Sequence, residues 1–201
     1  MKLYYSPGAC SLSPHIVSNE LELPIELVKT DTKTKKTEHG EDYLKISPKG
    51  YVPALVLDDG TLLTEGPVLV QYLAELANNT DLLPAAKTKE RYKAMEILNF
   101  ITSELHKSFS PLFSAAANDA VKAYARDKVK DRINFLNEEI LGDHPYLMGD
   151  HFSVCDAYCF TVLNWTKFVD IELPENLKAY QQRIGSRPAV QKALKEEGLL
   201  K

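Results

Sequence analysis

Cys10 is the residue whose position points most directly to chemistry. It follows the turn Ser6-Pro7-Gly8 and begins a predicted helix that carries Pro14 in its first turn. Unpaired backbone N–H groups at a helix N-terminus stabilise negative charge, and they lower a thiol pKa from about 8.5 into a range of roughly 3.5–7.5. A cysteine that only fills space usually lies within an apolar stripe. Because Cys10 follows a strand and a turn, we favour nucleophilic or redox sulfur chemistry.

Two further motifs stand where the backbone can hold a ligand. Val52-Pro53 precedes a strand, and a cis bond there would leave the Val52 N–H and C=O available to an extended peptide. A trans proline would merely start the strand. Glu65-Gly66 opens a helix, so its N–H groups suit a carboxylate and the Glu65 side chain suits an ammonium group. The alternative is that Thr64 caps this helix and Glu65 favours its dipole.

Strand and helix signals alternate over residues 1–80, which predicts an α/β domain of order βαβαββα. The hairpin signal Asp58-Asp59-Gly60 joins the last two strands. Beyond a linker that begins at Pro84, apolar residues recur every three or four positions, which is typical of helices. Residues 87–201 are therefore predicted to form an all-α domain. Its periodic segments are Tyr92 to Leu112, Val121 to Ile140, Val154 to Val169, Leu177 to Ile184 and Ala189 to Leu194.

The first of these helices carries a set of polar residues. Asn99, Ser103, His106 and Ser110 step by four, three and four residues, and Lys107 lies four after Ser103. An unbroken α-helix places residues at this spacing on one face. Such a face is usually the wet side of an amphipathic helix.

Other reactive side chains are better explained by folding. Cys155 and Cys159 lie four residues apart without further metal ligands, and we assign them to the core. Ser153 and Asp156 have the spacing of a capping box. The histidines show no metal-ligand spacing, so no metal site is expected. Tyr5, in the first strand, fits core packing.

Composition excludes several classes of protein. The formal net charge of −4 argues against a nucleic-acid binder. No segment is long and apolar enough for a membrane span, and the N-terminus lacks the apolar core of a signal peptide. Three cysteines do not suggest a disulfide framework. We therefore expect a soluble, cytoplasmic protein.

The order and spacing of these motifs resemble a known family. The first half resembles a thioredoxin-like domain adapted to glutathione, and with the all-helical second half the chain resembles a bacterial beta-class glutathione transferase over essentially its full length. Ser47 stands where that family commonly has Asn. The runs that carry the resemblance are YSPGACSLS at 5–13, SPKGYVPAL at 47–55, LTEG at 63–66, ELHK at 104–107 and GDHFSVCDAY at 149–158.

The resemblance implies a site for γ-Glu-Cys-Gly in the first domain, beside Cys10. The backbone of Val52, before Pro53, would pair with the cysteinyl unit of glutathione. Glu65 and the backbone of Gly66 would hold the γ-glutamyl end. Lys35 would pair with the glycine carboxylate, although by itself it is a solvated lysine of a basic loop.

The resemblance also implies that the polar face of the first long helix looks onto the glutathione sulfur. A histidine such as His106 can accept a thiol proton or donate a hydrogen bond to the sulfur. The helical domain would contribute an apolar pocket for an electrophilic small molecule. The glutathione-binding residues implied in this domain are Asn99, Ser103, His106 and Lys107.

The implied reaction joins the glutathione sulfur to an electrophile, with glutathione as co-substrate and no other cofactor, in a homodimer. Cys10 would either hydrogen-bond the glutathione thiolate or form a mixed disulfide with glutathione. Ser13 stands in the place of the second cysteine of a Cys-x-x-Cys motif, which excludes a dithiol mechanism. The alternatives are a glutathione-dependent thiol reductase or reductive dehalogenase, and a non-catalytic binding protein.

We predict that the Cys10 pKa lies below the free-thiol value of about 8.5, because the start of a helix favours the thiolate. Alkylation with a small haloacetamide as a function of pH, resolved by mass spectrometry, measures it. Cys155 and Cys159 serve as internal controls and should react far more slowly. A midpoint at or above about 8.5 contradicts the prediction.

Overall fold

The computed structural model describes residues 1–200, and the chain divides into two compact units. The first unit combines Met1–Thr80 with the segment that begins at Gly185, and the second is Asp81–Ile184. The break near residue 80 agrees with the sequence analysis. The C-terminal boundary differs, because the sequence placed all of 87–201 in the second domain whereas the last helix packs in the first unit.

The first unit contains a mixed five-stranded sheet of order β3-β2-β1-β4-β5. β1 and β2 are parallel, and the other neighbouring strands are antiparallel. The short strand β3 lies in a charged stretch for which no strand was predicted, because two residues are too few to show a strand period. The strands are β1 Lys2–Tyr5, β2 Glu26–Asp31, β3 Lys36–Thr37, β4 Ala54–Val56 and β5 Leu62–Thr64.

Eight α-helices are found within residues 1–200, and none of them is long and apolar enough to cross a bilayer. Two segments of π-helix, Ile101–His106 and Leu136–Leu141, and two of 3₁₀-helix, Tyr43–Lys45 and Asn164–Phe168, accompany them. The helices are α1 Leu12–Glu20, α2 Gly66–Leu76, α3 Lys89–Phe100, α4 Lys107–Phe113, α5 Asp119–Phe135, α6 Val154–Leu163, α7 Glu175–Gly185 and α8 Pro188–Glu196.

Strand β1 supports the site region from both of its faces, because successive strand residues point to opposite sides. Tyr4 belongs to a buried cluster with Tyr43 and Val52, and the Tyr4 and Tyr43 ring centroids are 5.6 Å apart. Tyr5 points the other way, with its ring centroid 6.1 Å from that of His15 in α1. The strand thus fixes both the start of α1 and the segment that precedes β4.

Helix α8 is joined to α1 by contacts between a buried histidine and two glutamates. The His15 imidazole is 1 % exposed, with Nδ1 3.0 Å from Glu197 Oε1 and Nε2 2.8 Å from Glu196 Oε2. The Gly8 N–H donates to the other Glu197 oxygen at 2.8 Å. A buried carboxylate such as that of Glu197 needs partners of this kind. Glu197, which follows α8, therefore holds the turn that precedes Cys10 in place.

In the second unit, α3, the first π segment and α4 run without a break from Lys89 to Phe113. The sequence predicted one amphipathic helix here. Ile97, Leu98, Ile101, Leu105 and Phe109 are buried as that pattern requires, but Tyr92 and Met95 are 62 % and 45 % exposed. The π segment is the main departure. Its i→i+5 hydrogen bonds reduce the rotation per residue and change the face on which later side chains lie.

Helix α6 is buried along its whole length and is held at its start by Asp156. The predicted capping box is present. Four hydrogen bonds reach the Asp156 carboxylate, from the Leu147 N–H, the Ser153 N–H, the Ser153 hydroxyl and the Tyr180 hydroxyl. Burial raises the pKa of this carboxyl, and the four donors offset part of that effect. One carboxylate thereby joins a loop, α6 and α7.

We predict that Asp156→Ala lowers the free energy of unfolding by about 2–4 kcal/mol, because it removes the cap and leaves buried donors unpaired. Urea denaturation followed by circular dichroism measures the change. Asp150→Ala, at an exposed position nearby, is the control and should stay within about 0.5 kcal/mol of the parent. Equal losses in the two variants would contradict the role given to Asp156.

Candidate active site

Cys10 lies in the turn immediately before α1. Helix α1 begins at Leu12 with Ser11 at the N-cap, and the Ser13 hydroxyl donates to the Cys10 carbonyl at 2.8 Å. The half-buried Cys10 thiol donates to the Val52 carbonyl, with Sγ 3.1 Å from the oxygen. This hydrogen bond stabilises the protonated thiol, whereas the helix start favours the thiolate. The hydrogen bond and the helix start therefore have opposite effects on the ionisation of Cys10.

The Val52–Pro53 peptide bond is cis, so the first of the two alternatives for this motif is the observed one. Val52 is 8 % exposed and packs in the cluster with Tyr4 and Tyr43. The Tyr43 hydroxyl donates to the Tyr51 carbonyl at 2.7 Å, and burial raises the pKa of Tyr43 to about 12. The phenol thus stays protonated and holds the backbone beside Val52 as a donor.

Lys35 is fixed beside the same backbone instead of extending into solvent. Its ammonium donates to the Gly50 carbonyl at 2.8 Å and lies 5.5 Å from the centroid of the Tyr51 ring. Gly50 has φ +63°, and a Cβ there would come within 3.2 Å of Lys35 Nζ. A glycine therefore allows both this backbone conformation and the close approach of the lysine.

Glu65 occupies the N-cap position of α2 with φ 73°. Its Oε1 lies 2.6 Å from Lys49 Nζ, and that ammonium also donates to the Thr64 hydroxyl at 3.2 Å. Thr64 ends β5 and is not the cap, so the capping alternative is not observed. Gly66 is the first helical residue, and Pro67 after it has no N–H. Of the first two helical residues, Gly66 is thus the one with a backbone N–H that can donate to a ligand.

A single stretch of backbone, which we call the 49–53 segment, connects the residues that the sequence singled out in the first unit. Val52 contacts Cys10, Gly50 contacts Lys35, and Lys49 contacts Glu65. A thiol, an ammonium group and a carboxylate therefore lie along one run of residues. These groups, beside this run of backbone, suit an extended peptide that carries charges of both signs.

In the second unit, the residues of the predicted polar face do not share one environment. Asn99, Ser103 and Lys107 are exposed, and the Ser103 hydroxyl donates to the Asn99 carbonyl at 2.9 Å. His106 is half-buried, with Nδ1 2.7 Å from the Tyr158 hydroxyl oxygen. His106 is the last residue of the π segment, which rotates it away from the face that an unbroken α-helix predicts.

Tyr158 and Trp165 contact His106, and the sequence analysis did not single them out. The Trp165 ring centroid lies 4.6 Å from that of His106, at an angle of 74°. Both aromatic residues are nearly buried, at 2 % and 8 % exposure. They fall in a periodic apolar helix pattern, so their sequence positions indicate only core packing. The one available signal is that their side chains can donate hydrogen bonds.

The remaining candidates behave as core residues. Cys155 and Cys159 are fully buried, and burial raises the pKa of both thiols. Burial also raises the pKa of Tyr5, which makes that phenol harder to ionise. Within residues 1–200, no group of three or more His, Cys, Asp and Glu side chains is arranged to hold a metal ion.

Comparison with known proteins gives a consistent result over both units. Residues 3–81 match the family model of the glutathione S-transferase N-terminal domain, and residues 100–188 match that of the C-terminal domain. Glutathione S-transferase GstA of Escherichia coli O157:H7 is 44% identical over 201 residues, which cover 99% of this chain and 100% of GstA.

Two solved structures extend the comparison to three dimensions. The ternary complex of BphK, a bacterial GST, has 52% sequence identity and a TM-score of 0.95, and covers 98% of this chain and 100% of its own. A sphingomonad glutathione S-transferase complexed with glutathione has 44% identity and a TM-score of 0.94, with all of both chains covered.

Proposed function

The chain belongs to the glutathione S-transferase family, and we propose that this glutathione transferase joins the thiol of glutathione to electrophilic small molecules. The observation that carries the proposal is the 49–53 segment, which brings Cys10, Lys35 and Glu65 to one run of backbone. Glutathione is a short extended peptide with a thiol in its middle and charged groups at its ends. The segment therefore contacts one group of each kind that binding such a peptide requires: a thiol, an ammonium group and a carboxylate.

Each group of glutathione has a complementary partner in the first unit. The backbone of Val52, before Pro53, pairs with the cysteinyl unit. Glu65 binds the γ-glutamyl ammonium, in the manner in which it binds Lys49. The Gly66 N–H, at the start of α2, binds the neighbouring carboxylate. Lys35, whose ammonium lies beside Gly50 and Tyr51, pairs with the glycine carboxylate.

The second unit supplies groups that act on the sulfur and on the second substrate. His106 acts at the glutathione sulfur, and Asn99, Ser103 and Lys107 line the approach to it. The electrophile is an apolar small molecule, because small-molecule pockets are lined mostly by hydrophobic side chains. No cofactor is needed beyond glutathione itself. We further propose a cytoplasmic homodimer of the beta class with a role in detoxification, on the strength of the motif runs and the free cysteines.

The position of the Cys10 sulfur beside the Val52 backbone also favours a second activity, thiol–disulfide exchange. It places a second sulfur where the cysteinyl unit of glutathione pairs with the backbone. The Cys10 thiolate attacks one sulfur of glutathione disulfide, the Cys10–glutathione disulfide forms, and one glutathione thiolate leaves. A glutathione-dependent reductase or dehalogenase would use the same intermediate.

We predict that Cys10→Ala abolishes exchange with glutathione disulfide, because no other thiol within residues 1–200 is accessible. Conjugation of glutathione to a generic aryl halide should persist, because glutathione provides the sulfur that reacts. Both rates are measured on the parent and the variant, with Cys155→Ala as a control. Retention on immobilised glutathione without turnover of any aryl halide would instead identify a non-catalytic binding protein.

We predict that Glu65→Gln raises the dissociation constant of glutathione about 10- to 100-fold, since a lost charged hydrogen bond costs about 1.5–3 kcal/mol. Glutamine has a side chain of the same length, and the backbone at residue 65, with φ 73°, has to accommodate a side chain in both cases. Titration calorimetry measures affinity. Glu172→Gln, which removes a comparable exposed ion pair with Lys178, is the matched control. An unchanged dissociation constant would exclude Glu65 from the γ-glutamyl site.

A further inference from the structure

We propose that Tyr158 is a positioning residue for His106: its hydroxyl donates to Nδ1 and so places the imidazole proton on Nε2. The imidazole then acts on the glutathione sulfur as a hydrogen-bond donor and not as a base. This inference rests on the proposed function for one point only, the action of His106 at the sulfur. The assignment of the proton rests on contacts within the second unit.

The His106 ring is fixed on two sides. Tyr158 Oη lies 2.7 Å from Nδ1, and the ring of Trp165 meets the imidazole edge-to-face at 4.6 Å between centroids. Tyr158 belongs to α6, in which every residue is buried, and it is itself 2 % exposed. Side chains in such a position have little freedom to rotate. The Nδ1–hydroxyl contact is therefore a defined feature of the site.

The direction of this hydrogen bond follows from the acidity of its partners. A neutral imidazole has one nitrogen that donates and one that accepts, whereas a phenol can do either. The phenol, with a pKa near 10, is a much stronger acid than the N–H of neutral imidazole, and the imidazole lone pair is a stronger base than the phenol oxygen. The bond therefore forms as O–H···Nδ1. Nδ1 then carries no proton, and the neutral ring holds its proton on Nε2.

This tautomer decides between the two roles that the sequence left open for His106. The two ring nitrogens point in nearly opposite directions, so Nε2 faces away from Tyr158. Nε2 with its proton can donate a hydrogen bond to a thiolate but has no lone pair with which to accept a thiol proton. His106 therefore does not take the proton that the glutathione thiol loses, and it stabilises the sulfur anion that remains.

Nuclear magnetic resonance of protein labelled with ¹⁵N-histidine tests the tautomer directly, at a pH where the ring is neutral. The His106 signals are assigned by their loss in His106→Gln. We expect a protonated Nε2 and an unprotonated Nδ1 in the parent, and a mixture of the two tautomers in Tyr158→Phe. A protonated Nδ1 in the parent, or an unchanged pattern in Tyr158→Phe, would overturn the proposal.

Kinetics test whether this tautomer serves the reaction. Tyr158→Phe keeps the buried ring and removes only the hydroxyl, and we expect kcat to fall about 2- to 10-fold with the KM for glutathione unchanged. Tyr124→Phe, at a position that is 72 % exposed, is the matched control and should keep the parent kcat. A mixed tautomer with an unchanged kcat would overturn the positioning role. Absence of any conjugation by the parent would instead refute the proposed function and leave the tautomer result standing.

Discussion

The carbonyl of Val52 is the point at which the candidate site of the first unit depends on the fold beneath it. It accepts the Cys10 thiol, and the residue that bears it packs in the cluster with Tyr4 and Tyr43. Because the Tyr43 hydroxyl also holds the preceding carbonyl, the backbone here has little freedom to move. The groups that contact the 49–53 segment therefore meet a backbone that is itself held in place. Packing against the sheet thus restricts the motion of the 49–53 segment, which is a loop.

The second unit uses a different means to position its candidate functional side chain, His106. His106 is placed by an irregularity in its own helix and by aromatic residues of the segment from α6 to the 3₁₀ turn after it. Helix α6 is in turn fixed by Asp156 through its start and through Tyr180. Asp156 lies outside the candidate site, but by fixing α6 it helps to fix the position of Tyr158 in the same helix. The buried carboxylate that caps the helix and the imidazole at the site belong to one chain of contacts.

The sequence predicts the parts of this structure that local patterns determine. Apart from the short strand β3, the order of strands and helices, the hairpin at Gly60 and the turn before Cys10 follow from short-range signals and agree with the structure. The cis state of Val52–Pro53 and the π segment before Lys107 do not, because both alternatives satisfy the same local sequence and tertiary packing selects between them. Contacts such as His106 with Tyr158 join residues 52 positions apart. No periodicity encodes such a pairing.

The return of α8 to the first unit has a consequence for the order in which the chain folds on the ribosome. Glu197 meets the Gly8 N–H across 189 positions of sequence, so this contact forms only after all the residues between them have been synthesised. Until then the nascent His15 lacks both of its carboxylate partners. Domains usually fold in the order in which they emerge. In this chain the second unit is complete in sequence at Ile184, before the first unit has received its last helix.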